Sequence, residues 1–409
     1  MAKRLNVIFL TLADITDISV SGIYTDLLRK FRDEGHMICI VSPYERRQSM
    51  QTSFIKIDGM RLLKVQTLNI QKTNVIEKGI GTLLIERQYK QAIRKYLSDI
   101  SFDLILYSTP PITFTNVIKY LKRRNPRTIS YLLLKDIFPQ NAVDIEIFSK
   151  RSLFWWYFRN KEKSLYKVSD YIGCMSPANV AFIRHHNPTY PADRIEVAPN
   201  SIELREKPAM SLEERDIIRK KYNLPTDRPI FVYGGNLGKP QGISYLIKCM
   251  EANKNRENCM FLIIGTGTEY PRIQAWYENC RLQSVRLMQW IPKEEYEKLV
   301  SVCNVGMIFL DHRFTIPNYP SRLLSYLENR MPVICATDKN TDIGQIAEEN
   351  GYGYWCESVK PENFTALVDK MLASDMIAMG ECGYEFLKKN YLVENTYNAI
   401  MSHFDHESH

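Results

Sequence analysis

Short apolar runs rich in Val, Ile, Leu and Phe alternate along the chain with longer segments in which apolar residues recur at helical spacing. The runs suit strands buried on both faces and the longer segments suit amphipathic helices, so the alternation predicts parallel α/β layers. In the first half, strands are expected at 5–10, 37–41, 104–107, 129–133, 171–174 and 195–197. Helices are expected between them at 23–33, 82–98, 113–124, 153–168 and 178–185. The stretch VAPNSIELREKPAMSLEERD (197–216) is polar, carries two prolines and lacks a strand pattern, which marks a linker. A second series follows, with strands at 230–233, 260–264, 285–288, 305–309, 332–335 and 353–355 and closing helices at 377–389 and 394–404. The reading is two doubly wound Rossmann-like domains, residues 1–200 and 201–390, with the last helix, 391–405, packing back on the first. Facing each other across a central cleft, such domains bring the carboxyl ends of both sheets to one ligand site.

Composition narrows the class. A chain of 409 residues exceeds one ordinary core and fits two domains. The nine cysteines are scattered, with no Cys-x-x-Cys, which excludes a disulfide framework and a structural zinc site and fits a reducing cytoplasm. The start, MAKRLNVIFLTLAD, has a short apolar run interrupted by Thr11 and Asp14, so it reads as a first buried strand rather than a signal peptide. No run reaches the roughly 18 apolar residues of a membrane span.

The net charge is +8, and its placement says more than its size. Lys119, Lys122, Arg123, Arg124 and Arg127 form one cluster, and Lys150, Arg151, Arg159, Lys161, Lys163 and Lys167 another. Two readings stand: solvated helix faces, or contact with an anionic membrane, which SLFWWYF (152–158) inside the second cluster favours. Nucleic acid is not indicated, because no stacking or helix-turn-helix pattern accompanies the cations.

Candidate chemistry concentrates at strand ends. FVYGGNLGKPQGISYL (231–246) runs from a strand through Gly234, Gly235, Asn236, Leu237 and Gly238 into a helix, a context in which backbone amides approach an anion. The spacing is not Gly-x-Gly-x-x-Gly, so a dinucleotide site fits poorly. Lys239 adds charge. A second glycine turn, IIGTGTEYPRI, holds Gly265 and Gly267. A third loop, FTIPNYPSRLLSYLENRMPVICATD (314–338), places Ser321 to cap a helix beginning at Arg322, whose guanidinium can fork onto phosphate oxygens. Three such loops at one sheet edge form a pocket for a nucleotide diphosphate.

These motifs carry a resemblance. With SGIYTDLLRKFRDEGHMICIVSP (21–43), YSTPPITF (107–114), KDIFPQNAVD (135–144), DYIGCMSPANV (170–180) and VAPNSI (197–202), they make the chain similar, end to end, to GT-B glycosyltransferases of family 4. The likeness is to bacterial capsule and O-antigen enzymes that carry Gly-Gly-Asn-Leu-Gly-x-x-Gln-Gly in place of Gly-Arg-x5-Lys-Gly. The resemblance implies a retaining transferase that uses a nucleotide-diphosphate sugar, foremost a UDP-sugar, and a glycan or lipid-linked acceptor. It also implies a role for Gly22 at the donor's phosphate–sugar junction and for Trp290 and Ile291 at the base. Where the family places a spaced glutamate pair this chain has Pro317 and Ser325, and where it places the Arg and Lys of the diphosphate site, Asn236 and Gln241. Lys239 and Arg322 are then the cations left to neutralise a leaving diphosphate, helped by amides of Gly22, Gly235 and Gly238.

In the first half, Thr109 and Pro110 follow a strand in a stiff loop, with the Thr109 hydroxyl available to an acceptor. Asp136, after the apolar ISYLLL and beside Lys135, is placed as a general base or positioning carboxylate. Asp311-His312 lacks the second carboxylate a cation needs, so no metal or other cofactor is expected. The function read from these signals is sugar transfer in surface polysaccharide assembly by a cytoplasmic enzyme peripheral to the inner face of the membrane. A nucleotide-sugar 2-epimerase on the same fold and a non-catalytic subunit of a polysaccharide assembly remain alternatives.

Overall fold

The computed structural model describes residues 4–405 apart from 58, 71–74, 206–209 and 281. The chain divides into two units, Met1–Glu203 with Leu392–His409, and Leu204–Tyr391.

The first unit holds strands β1 (Asn6–Leu10), β2 (Met37–Glu45), β3 (Ser53–Ile57), β4 (Met60–Thr67), β5 (Leu104–Ser108), β6 (Ile129–Leu134), β7 (Tyr171–Cys174) and β8 (Ile195–Val197). They lie in the order β3-β4-β2-β1-β5-β6-β7-β8. All neighbours run parallel except β3 and β4. Helices cover the sheet, so β1, β5 and β6 are almost wholly buried and read as near-continuous apolar runs. Because β2 and β5 flank β1 on opposite sides, the winding reverses there, and a crevice opens at the carboxyl ends of β1 and β5.

The helix Val393–Asp405 completes this unit. Tyr397 Oη lies 2.8 Å from His36 Nε2, and its ring packs edge-on to Phe31. His403 stacks on Tyr171 at 3.5 Å and reaches Glu196 at 3.0 Å.

The second unit holds β9 (Ile230–Asn236), β10 (Met260–Thr266), β11 (Val285–Met288), β12 (Val305–Phe309), β13 (Val333–Thr337) and β14 (Gly353–Glu357). The sheet is wholly parallel in the order β11-β10-β9-β12-β13-β14, so its reversal falls between β9 and β12.

Two local expectations fail. The hairpin β3–β4 was not anticipated; it extends the first sheet beyond β2. The helix expected at 82–98 begins earlier and takes in Gly79 and Gly81, within Val75–Tyr96. There the backbone of Gly81 packs close to Asn69, so that a Cβ would lie 3.3 Å from the Asn69 carbonyl oxygen.

Candidate functional site

The reversal point of the second sheet brings together the carboxyl end of β9 and the helix Arg322–Glu328. Apolar Ile230–Tyr233 forms the buried part of β9, and Gly235 at its end has φ +126°, a conformation that L side chains rarely adopt. The guanidinium of Arg322 lies over the Tyr233 ring, 4.3 Å from its centroid, and a Cβ on residue 235 would come within 3.4 Å of Nη2. Tyr326 Oη accepts the Gly234 N–H at 3.2 Å, and Tyr296 fills the space that a side chain at 234 would need.

This setting makes Arg322 a reserved charge. Its Nη1 is buried and has no hydrogen-bond acceptor among the described residues. The ionisable groups acting on it are tyrosine hydroxyls, and burial drives the Tyr233 and Tyr326 hydroxyls upward and Tyr296 to about 12, so they stay neutral. A half-buried, permanently charged fork without a carboxylate partner is suited to an incoming phosphate. Lys239, in the turn after β9, is exposed, and among the described residues no carboxylate pairs with it.

The other expected donor residues divide. Asn236 Nδ2 donates to Gln241 Oε1 at 3.1 Å, and that oxygen also accepts the Gly238 N–H at 3.2 Å. The Gly22 N–H is held by Asp26 Oδ1 at 2.9 Å. Gly22 and Gly238 therefore do not offer free amides to a diphosphate, contrary to expectation, because neighbouring side chains already satisfy them. Gly265 and Gly267 have a packing reason. A Cβ at 265 would fall 1.9 Å from the Gly235 carbonyl oxygen, and one at 267 would fall 2.3 Å from that of Leu237. They let the second glycine turn seat against the first.

Ser321 does not cap its helix. Its own backbone is helical (φ −64°, ψ −15°), and its exposed side chain makes no cap hydrogen bond. The approach to Arg322 is held instead by Asp338, which accepts the N–H groups of Asn340 at 2.8 Å and Thr341 at 2.9 Å. Thr341 Oγ1 in turn accepts the Asn318 N–H at 3.0 Å, and Asn340 Nδ2 donates to the Phe314 carbonyl at 2.7 Å. Burial pushes Asp338 up to about 6. Trp290 and Ile291 follow edge strand β11, the first 67% exposed and the second half-buried.

In the first unit the carboxyl edge of β5 and β6 carries the remaining candidates. Thr109 is buried, and its hydroxyl accepts the N–H groups of Lys135 at 3.0 Å and Asp136 at 3.1 Å while donating to the Asp136 carbonyl at 3.0 Å. All its hydrogen-bonding capacity is used. It is a staple between two loops rather than the free acceptor contact expected, and Pro110 beside it is exposed. Asp136 takes a hydrogen bond from Asn141 Nδ2 at 2.6 Å, and burial raises its carboxyl to about 6.

Two residues of this edge were passed over. Among the described residues Lys135 Nζ reaches only the Ala198 carbonyl, at 3.5 Å, and burial lowers it to about 7. Asn200 is buried with Oδ1 lacking a donor. A lysine directly after an unbroken apolar strand was the available signal for the first. Perturbed, under-satisfied polar groups at a sheet's carboxyl edge are candidates for a functional surface.

Among the described residues no three His, Cys, Asp or Glu side chains gather as a metal site would require. Asp311, weighed earlier as a cation ligand, is engaged by Arg313 Nε at 2.9 Å. No helix among the described residues is long and apolar enough to cross a membrane.

Comparison with known proteins places this geometry. Residues 214–386, which include every strand of the second sheet, match the family described as glycosyl transferases group 1. WbjE of Pseudomonas aeruginosa, named as a probable glycosyltransferase, is 22% identical over 64% of this chain and 64% of its own length. WcaI of Escherichia coli (strain K12), whose name assigns it to colanic acid biosynthesis as a glycosyl transferase, is 24% identical over 43% of each. The matches thus span less than two thirds of these relatives. Among solved structures, sucrose-phosphate synthase from Thermosynechococcus elongatus superposes with a TM-score of 0.73 at 15% identity, covering 98% of both chains. HepE from Anabaena, solved in complex with UDP, gives 0.67 at 10% identity, covering 98% of this chain and all of that one. The two parallel-sheet units are those of the GT-B fold, and residues 214–386 of the second resemble the glycosyl transferases of group 1.

Proposed function

We propose that the chain transfers a sugar, with retention of anomeric configuration, from a nucleotide-diphosphate sugar to a glycan or lipid-linked acceptor in bacterial surface polysaccharide assembly. UDP is the favoured carrier, in keeping with HepE having been solved with UDP. The names of WbjE and WcaI support the reaction class, and that of WcaI, which adds colanic acid biosynthesis, supports the setting. The observation that carries the reading is Arg322, a half-buried guanidinium whose buried Nη1 has no acceptor among the described residues, beside the glycine turn at the reversal of the second sheet.

In the reaction the bond between the anomeric carbon and the β-phosphate oxygen breaks, and a bond to the acceptor oxygen forms. Arg322 and Lys239 neutralise the charge that collects on the departing diphosphate. The acceptor hydroxyl's proton passes to a leaving phosphate oxygen, and Asp136, ionised above about pH 6, orients the acceptor by accepting a hydrogen bond from a second, neighbouring hydroxyl. The work is done without a metal ion, in the cytoplasm, against the inner face of the membrane.

Titration calorimetry with UDP and GDP, followed by a donor screen with and without acceptor, tests this reading. Saturable UDP binding and nucleotide release only in the presence of acceptor are expected, unaltered by a chelator. Release without acceptor would point to the epimerase. Absence of binding would favour a non-catalytic subunit, the alternative that Pro317 and Ser325 keep open.

A further inference from the structure

The first unit exposes Ile147, Leu153, Phe154 and Trp156 at 60%, 85%, 69% and 64%, all within one short stretch. Ser152 caps the helix Leu153–Val168 by accepting the Trp155 N–H at 3.1 Å, which fixes Leu153 and Phe154 in the first turn. Exposed positions Leu153, Trp156, Asn160, Lys163 and Lys167 recur at the spacing of one helix face, apolar at its start and cationic at its end. The opposite face is fully used. Glu162, Leu165 and Tyr166 are buried, Arg159 pairs with Glu162, and Phe158 packs edge-on to Phe138 at 5.0 Å. The exposed side chains are therefore not a face that folding left without its core.

The structure also sorts the two basic clusters. Lys122 is neutralised by Asp170 at 2.6 Å, and Arg124 is spent on the carbonyls of Leu97, Ser98 and Ile100. Lys119, Arg123 and Arg127 of the first cluster are exposed as well, but no exposed aromatic accompanies them; Lys150, Arg151, Lys163 and Lys167 are exposed beside Leu153, Phe154 and Trp156. Between 147 and 168 the single acid is Glu162, which is buried. The surface is thus an apolar, aromatic prominence bordered by four exposed cations that form no ion pair among the described residues, with one exposed acid, Glu146, beside Ile147. Side chains this exposed suit a fluid interior that needs no shape-matched pocket, and the cations suit anionic headgroups.

We propose that this end of the helix Leu153–Val168 docks on an anionic lipid bilayer, with Ile147, Leu153, Phe154 and Trp156 entering the headgroup–acyl boundary and Lys150, Arg151, Lys163 and Lys167 lying against the headgroups. The proposal deepens the membrane clause of the proposed function and is independent of the nucleotide reading. It is tested by co-sedimenting the full chain with phosphatidylcholine vesicles with and without phosphatidylglycerol. Binding to the anionic vesicles at least about tenfold tighter than to neutral ones, and weakened by salt, is expected. Phe154→Ser combined with Trp156→Ser lowers that affinity by about tenfold or more, and Lys163→Gln with Lys167→Gln flattens the salt dependence. UDP calorimetry on each variant separates the two readings, because nucleotide binding is expected to be unchanged. Equal binding to both vesicle types, full retention by the Phe154→Ser/Trp156→Ser variant, or no binding at all overturns the proposal, the last leaving a protein as the occupant of this face.

Discussion

Replacing Arg322 by alanine separates a functional cation from a structural one. In the ligand-free protein two effects oppose each other. A desolvated guanidinium donor without an acceptor costs about 1–3 kcal/mol, while the cation–π contact with Tyr233 at 4.3 Å returns about 0.5–2 kcal/mol. Their difference is near zero, so Arg322→Ala is expected to move the melting temperature by no more than about 4 °C. Against a diphosphate the balance changes. The fork gains charge-assisted hydrogen bonds of roughly 1.5–3 kcal/mol, and the developing charge of the transition state adds to this. Loss of one such donor typically costs about 2.7–4 kcal/mol, or roughly 10²–10³ in turnover. Arg322→Lys keeps the charge but not the fork and is expected to recover about tenfold of that loss. The assay pairs acceptor-dependent nucleotide release with melting curves in the presence and absence of UDP. A variant with kcat/KM within threefold of the parent, or one that is destabilised by more than about 3 kcal/mol yet keeps its full UDP-induced stabilisation, would refute the reasoning.

Three further outcomes are expected. Thr109→Val strands the Lys135 and Asp136 amides that the hydroxyl now accepts and lowers stability by about 2–4 kcal/mol, measured by urea denaturation; an unchanged midpoint would contradict the staple. Gly265→Ala drives a methyl into the Gly235 carbonyl, costing about 3 kcal/mol and abolishing UDP binding by calorimetry; retained affinity would show that the turns seat otherwise. Asp136, raised to about 6 by burial, binds a proton in the native state that the unfolded chain releases near its ordinary carboxylate value. Stability therefore falls as pH rises from about 4 to 6, while kcat/KM climbs as the carboxylate forms. Asp136→Asn removes the activity dependence and its own share of the stability dependence, leaving the share of Asp338, which burial also raises to about 6; a pH profile of unfolding that it leaves unaltered would assign the titration elsewhere.

The alternation of apolar runs and helical segments was enough to reveal two doubly wound units, because a parallel strand covered on both faces must be apolar along its length. Glycines at strand ends likewise marked the turns at 234–238 and 265–267, since a backbone that bends or packs so closely tolerates no side chain. The hairpin β3–β4 was missed although Asp58-Gly59 stands between its strands, a short turn signal overshadowed by the longer α/β rhythm. What only the tertiary structure decided is who is already engaged. The Gly22 and Gly238 amides and the Thr109 hydroxyl looked free in one dimension and are satisfied by Asp26, Gln241 and the Lys135–Asp136 backbone. Arg322 Nη1 is left without an acceptor, and Asn200 Oδ1 without a donor. Residue type reports which groups can hydrogen-bond, but satisfaction depends on distances set by packing, and those distances separate a residue that holds the fold from one that waits for a ligand.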